Sequence, residues 1–219
     1  VLRYPFGAGS HAEYVAAPSR TFVAKPSAID HVQAGALPLA ALTAWQALVD
    51  TADVREGHRV LIHAAAGGVG HLAVQIAKAR GAYVIGTASE GKHAFLRGIG
   101  VDEPVDYRGV DFADVVKDVD VVLDTIGGDY GPRSLRVLRP GGTLVSVVLS
   151  NLDDMDTSGV RSETLLVEPD HHALAQIAAL AEAGRLRAEI DSVFPLEEAA
   201  KAHERGETGR VTGKIVLTV

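Results

Sequence analysis

The sequence predicts an α/β fold, a doubly wound parallel sheet with helices on both faces, on three observations. Strand-like and helix-like segments alternate from residue 59 onward, and such alternation builds a parallel sheet. The strand-like segments are short apolar runs, as strands buried on both faces require. Residues 59–92, RVLIHAAAGGVGHLAVQIAKARGAYVIGTASEGK, run strand, glycine turn, helix and strand, which is a complete βαβ unit.

Taken in order, short strands are expected at residues 12–16 and 21–25, then a helix at 38–51. Val60, Leu61 and Ile62 carry the first sheet strand, residues 59–64, and Gly67, Gly68 and Gly70 break it. The helix at 68–80 follows with Val69, Leu72, Ala73, Ile76 and Ala77 on one face, and Gly81 ends it. Further strands are expected at 82–88, 104–107, 120–125, 142–148 and 164–168, and helices at 90–97, 111–117, 131–138, 171–183 and 196–206. Pro140, Gly141 and Gly142 mark the turn into the fifth strand. Residues 150–162 are polar and aperiodic, so a mobile loop is expected there, at the carboxyl edge where open α/β sheets bind ligands. Residues 1–37 and 188–219, the latter closing on a strand at 214–219, stand outside the alternation. They are expected to meet as a smaller β-rich lobe, leaving a cleft against a nucleotide domain of residues 38–187.

Composition narrows the function. With 47% hydrophobic and 22% charged residues in 219, the chain is an ordinary globular one. It has no apolar run of bilayer length and no basic-then-apolar leader, so no membrane partner and a cytoplasmic location are expected. A net charge of −7 argues against nucleic acid. The absence of cysteine removes disulfides, thiolate zinc ligands and a cysteine nucleophile. The histidines have no ligand spacing: His171 and His172 adjoin, while His11, His63 and His71 are scattered, so no metal is expected. His63 is expected to be a hydrogen-bonded strand-end residue, and Asp153 and Asp154 to be solvated. The chain opens on Val1, its only methionine is Met155, and VLRYPFGAGSHAEYVAAPSR reads like the middle of a domain. A preceding segment is therefore expected to be missing.

The turn AAAGGVG puts Ala65, Gly67 and Gly70 where a Gly-x-Gly-x-x-Gly fingerprint has its glycines. Small residues there, Ala66, Gly67, Gly68, Val69 and Gly70, let a pyrophosphate approach the amides that open the helix. Tight strand–helix packing is the alternative, but the surrounding βαβ unit favours a Rossmann dinucleotide site. An NAD site usually has an acid at the end of the second strand, to accept from the ribose 2′-hydroxyl. This chain has Thr87, Ala88 and Ser89, with Lys92 one turn on. A hydroxyl and a cation suit a 2′-phosphate, so NADPH is expected; the alternative is that Ser89 caps the next helix and Lys92 is solvated. Asp124, Thr125 and Gly127 in DTIGG, and Val147 in TLVSVV, end the fourth and fifth strands beside the expected nicotinamide. Alternatively, Asp124 and Gly127 only shape a turn. Thr43, in LPLAALTAWQAL, either faces the cofactor or bonds back to its own helix.

AEYVAAP, ALPLAALTAWQAL, the βαβ unit, DTIGG, LRPGGTLVSV and VFPLEEAAKAHERGETGRVTGKIVL together resemble the medium-chain dehydrogenase/reductase superfamily, in its zinc-independent quinone oxidoreductase and enoyl reductase branch. The resemblance implies a Rossmann domain and a GroES-like lobe whose first strands this chain lacks. It implies that Ser89, Lys92 and Tyr107 hold the adenosine 2′-phosphate side and that residues 67–70 hold the pyrophosphate. Thr43, Thr125 and Val147 would approach the nicotinamide, and Lys214 would lie near the cofactor phosphates. It implies hydride transfer from NADPH to a small-molecule quinone or α,β-unsaturated carbonyl, and a homodimer formed edge to edge through residues 164–168. No catalytic residue is assigned, because the branch shares none. The second expectation is a truncated relative that uses the fold as a cyclisation or partner-binding scaffold without redox chemistry.

Overall fold

The computed structural model describes residues 11–148 and 157–219. Its elements in chain order are α1 (His31–Ala36), α2 (Pro38–Trp45), β1 (Arg59–Ile62), α3 (Gly70–Ala79), β2 (Tyr83–Ala88), α4 (His93–Gly98), β3 (Glu103–Asp106) and α5 (Phe112–Val115). They continue through β4 (Val119–Asp124), α6 (Tyr130–Leu135), β5 (Leu138–Ser146), β6 (Arg161–Thr164), α7 (His171–Glu182), β7 (Ile190–Pro195), α8 (Ala199–Glu207) and β8 (Lys214–Thr218). The chain divides into two compact units, one of Thr43–Leu166 and one that joins the stretch up to Leu42 to that from Val167 on.

In the unit Thr43–Leu166, six parallel strands lie in the order β3-β2-β1-β4-β5-β6. This is the doubly wound Rossmann order, and it reverses direction between β1 and β4. Leu61, Ile85, Val122 and Leu144 are register neighbours across the central strands. They form one buried cluster with Phe112, Ala113 and Val116 from α5 and its C-terminal end, and with Val137. The apolar runs read from the sequence are therefore the centre of the core. Asp120 accepts from the Arg59 amide at 2.7 Å, tying the start of β1 to β4.

Several boundaries differ from expectation. The helix expected over 38–51 is α2 followed by a π-helical turn, Gln46–Thr51, in which the Ala52 amide reaches back to the Ala47 carbonyl. β5 begins before Pro140 rather than after it. Val119 pairs with Leu138 and Val121 with Thr143, so four residues of β5 bulge out opposite Asp120. β6 lies at Arg161–Thr164, earlier than 164–168, because Thr143 to Ser146 pair with residues 161–164. Of the loop expected at 150–162, residues 149–156, including Asp153 and Asp154, lie outside the described residues; 157–160 form a turn closed by the Val160 amide on the Thr157 carbonyl.

In the other unit, the strands expected at 12–16 and 21–25 do not form. The Thr21 amide and hydroxyl both donate to the Pro18 carbonyl, closing a 3-10 turn at Ser19–Thr21, and no strand runs alongside among the described residues. The sheet here is a parallel pair, β7 and β8, connected through α8. Helix α1 was not expected, although Asp30-His-Val-Gln33 carries a capping signal: the Asp30 carboxylate accepts from the Gln33 amide at 2.8 Å. Gln33 also exchanges two hydrogen bonds with Ala188, at 2.8 and 3.0 Å. Glu182 at the end of α7 accepts from the Ser27 hydroxyl and the Ala28 amide. Leu174, Ile177 and Ala178 of α7 line an apolar cavity of about 300 Å³ together with residues of the 21–38 stretch. These contacts group α7 with the chain ends, whereas the sequence reading placed it in the nucleotide domain.

Candidate nucleotide-binding site

The turn after β1 is built by its neighbours. Ala64 takes a left-handed φ of 46°, and its carbonyl accepts from the Gly67 amide at 2.8 Å. A Cβ on Gly70 would sit 2.3 Å from that carbonyl oxygen and 2.8 Å from the Ala65 Cα, so only glycine lets α3 start this close to the strand. His71, fully buried in the first turn of α3, donates from Nδ1 to the Gly67 carbonyl at 2.7 Å. Among the described residues the amides of Gly68, Val69 and Gly70 meet no backbone acceptor, and Val69 provides no side-chain cap. Free amides at a positive helix end, with no capping side chain over them, fit a pyrophosphate.

Thr87, read as a phosphate-side hydroxyl, is turned inward. It is 1% exposed, its Oγ1 accepts from the Ala64 amide at 3.1 Å, and it lies 3.3 Å from His63 Nδ1. The Thr87 carbonyl accepts from the Ala65 amide at 2.9 Å. Thr87 therefore shapes the turn from behind. His63 is fully buried, with Nε2 3.0 Å from the Ser134 hydroxyl and edge-on contacts to Phe112 and Tyr130 at 4.5 and 4.9 Å. Burial, aided by the charge on Arg133, lowers its pKa to about 3, so it is neutral and unsuited to act as a base at neutral pH. The expectation of a hydrogen-bonded strand-end histidine is what the structure displays.

At the carboxyl end of β2, Ser89 is half-buried and makes no capping bond to the 3-10 turn Glu90–Lys92, so the capping alternative for its hydroxyl is not realised. Lys92, half-buried, ends that turn. Ala88 pairs with Asp106, so the chains leaving β2 and β3 part from the sheet side by side. Tyr107, 44% exposed, follows β3 there. Arg108, which the sequence reading passed over, donates from Nε to the Tyr107 hydroxyl at 3.3 Å. Its position straight after the tyrosine was the available signal.

At the ends of β4 and β5 the polar groups are spent locally. One oxygen of the buried Asp124 accepts from the amides of Ile126 and Gly127 at 2.8 and 2.9 Å, and Gly127 takes φ 77° with Val148 packed where its Cβ would be. The other oxygen, Oδ2, is buried with no partner among the described residues. The Thr125 hydroxyl donates to the His63 carbonyl at 2.9 Å, and the Val147 amide donates to the Asp124 carbonyl at 3.0 Å. The turn-shaping alternative thus accounts for what Asp124 and Gly127 do. Thr43 is buried, 8% exposed, on α2. Lys214 belongs to the other unit, at the start of β8, where burial lowers its pKa.

Residues 99–217 match the family described as zinc-binding dehydrogenase. The quinone oxidoreductase from Coxiella burnetii is 40% identical with a TM-score of 0.85, over 90% of this chain and 63% of that one. The CurK enoyl reductase is 33% identical with a TM-score of 0.81, over 90% of this chain and 65% of that one. The CurF ER cyclopropanase from the curacin A biosynthetic pathway is 30% identical with a TM-score of 0.80, over 90% and 64%. The chain thus spans less than two thirds of each. No three His, Cys, Asp or Glu side chains come together among the described residues, so these residues do not fit the zinc in the family description. No described helix is long and apolar enough to cross a membrane.

Proposed function

This chain belongs to the zinc-binding dehydrogenase family of the medium-chain dehydrogenase/reductase superfamily, and from that membership we propose that it is a zinc-independent NADPH-dependent reductase of a quinone or an α,β-unsaturated carbonyl. The observation that carries the cofactor choice is the carboxyl edge of β2 and β3. There a Ser89 hydroxyl free of capping duty, Lys92, and Tyr107 replace the acid that would select NAD. Gly68, Val69 and Gly70 offer amides to the pyrophosphate, with Ala66 and Gly67 as the small residues that admit it. Residues 124–127 and Val147 wall the nicotinamide end through backbone, since the Thr125 hydroxyl and one Asp124 oxygen are bonded inside the protein. When bound, the cofactor supplies the hydride, and these residues orient it and exclude water. Thr43 is added to the proposed set from the resemblance.

Titration of the single Trp45 emission with NADPH and with NADH tests the cofactor choice. The expected result is tighter NADPH; equal or absent binding of both abandons it. A panel of quinones and enones then reports NADPH oxidation. The likeness to an ER cyclopropanase supports the cyclisation part of a second reading, in which the fold serves as a cyclisation or partner-binding scaffold without redox chemistry. Cofactor bound but never oxidised favours it, and turnover eliminates it. A cytoplasmic location and a homodimer belong to the same proposal. The dimer is supported by the edge strand β6, which pairs only with β5 among the described residues. Sedimentation velocity at micromolar protein reads it directly.

A further inference from the structure

Some of the arginines on this acidic chain sit on aspartates: Arg55 on Asp53, Arg133 on Asp111, Arg139 on Asp120 and Arg205 on Asp191. Arg108 does not. It is exposed, and among the described residues its guanidinium has no carboxylate within ion-pair distance. It lies against Tyr107, its carbon 5.6 Å from the ring centroid and its Nε donating to the hydroxyl. The nearest acid in the chain, Asp106, is turned into its own loop. Its Oδ1 accepts from the Arg108 amide at 3.1 Å, and its Oδ2 sits 3.1 Å from where a Cβ on Gly109 would be. Asp106 therefore anchors the Arg108 backbone and forms no ion pair with its guanidinium. Because Ala88 pairs with Asp106, the segment that carries Arg108 leaves the sheet beside the one that carries Ser89.

We infer that Arg108 is a specificity-determining residue for the cofactor 2′-phosphate, stored on the Tyr107 ring and released to the phosphate. The inference rests on the NADPH reading above. An exposed cation–π contact is weak enough to exchange, whereas a guanidinium fork on a phosphate is bidentate and charge-assisted. Arg108 would thus supply the second cation beside Lys92, and the ring it leaves would be open to the adenine face.

Calorimetric titration of the whole chain with 2′,5′-ADP and 5′-AMP tests this, using wild type, Arg108→Ala and Arg108→Lys. Arg108→Ala is expected to weaken 2′,5′-ADP about tenfold, with 5′-AMP changed less than about twofold. Arg108→Lys, which keeps the charge and loses the fork, is expected to fall between. Equal weakening of both ligands, or of neither, overturns the inference. A wild-type preference for 2′,5′-ADP that survives Arg108→Ala removes Arg108 alone. No wild-type preference removes the NADPH reading and this inference with it.

Discussion

His63 Nδ1 stands 3.3 Å from the Thr87 hydroxyl, and that pair joins the end of β1 to the end of β2 immediately behind the glycine turn. The same hydroxyl accepts from the Ala64 amide, so a core contact and the entry to the turn share one oxygen. Both residues were legible in the sequence, one as a hydrogen-bonded strand end and the other as a phosphate ligand. Their mutual position makes both of them supports for the turn.

His63 makes stability depend on pH. Its folded pKa of about 3 lies below the ordinary 6.5, so between those values the unfolded chain binds the proton and the folded chain does not. The contribution is fully present above pH 6.5 and lost as pH falls toward 3, at up to about 1.4 kcal/mol per pH unit. Urea denaturation of wild type and His63→Gln across this range is expected to show a shallower slope in the variant, the remainder at the acid end belonging to carboxylates such as Asp191. An unchanged slope in the variant assigns it elsewhere.

Thr87→Val keeps the shape and removes the oxygen. It leaves the Ala64 amide and one imidazole nitrogen without their partner, at a cost of about 1–3 kcal/mol. Thr87→Ser is expected to recover most of that loss in the same denaturation experiment. If Thr87 instead touches ligand directly, NADPH affinity falls in Thr87→Val with no change in the urea midpoint.

Gly70→Ala drives a Cβ into the Ala64 carbonyl and is expected to cost about 3 kcal/mol. Gly98→Ala, on α4 with nothing within 4 Å of the new atom, is the control. It is expected to leave stability unchanged or raise it by up to about 1 kcal/mol, because alanine favours helix. Thermal melts of the two variants separate close approach from backbone propensity.

Ser89→Asp restores the acid usual in NAD sites. Like charge against a 2′-phosphate is costly, so the ratio of NADPH to NADH affinity is expected to fall on the order of a hundredfold. A ratio that stays constant in paired fluorescence titrations places the adenosine ribose away from Ser89.

Asp191 accepts two bonds from Arg205, at 2.6 and 2.8 Å, and further ones from Ser192 and the Thr212 amide. Arg205 holds its pKa down to about 2, from 3.8. Its contribution is present above pH 3.8 and lost as pH falls through about 2. Asp191→Asn is expected to lower Tm by about 2–4 °C at neutral pH and to flatten the acid limb of the stability curve. A melting profile identical to wild type down to pH 2 removes the ion pair from the account.

The sequence by itself determined the doubly wound sheet, because period, glycine turns and apolar strand runs are local signals that neighbouring residues reinforce. It also determined the glycine turn, since Gly67 and Gly70 do their work within one strand–helix connection. Strand limits depended on partners: β6 was misplaced by three residues because its pairing with residues 143–146 is invisible in its own composition. The strands expected at 12–16 and 21–25 have no neighbouring strand to pair with among the described residues. Only the tertiary structure decided which polar side chains were left for a ligand. Thr87, Thr125 and one oxygen of Asp124 were claimed by the amides, carbonyl and imidazole packed beside them. Ser89 made no cap, and Arg108 forms no ion pair among the described residues but lies over the Tyr107 ring. A hydrogen-bonding group is committed by whatever the fold brings within about 3 Å of it, and that neighbour is seldom near in sequence.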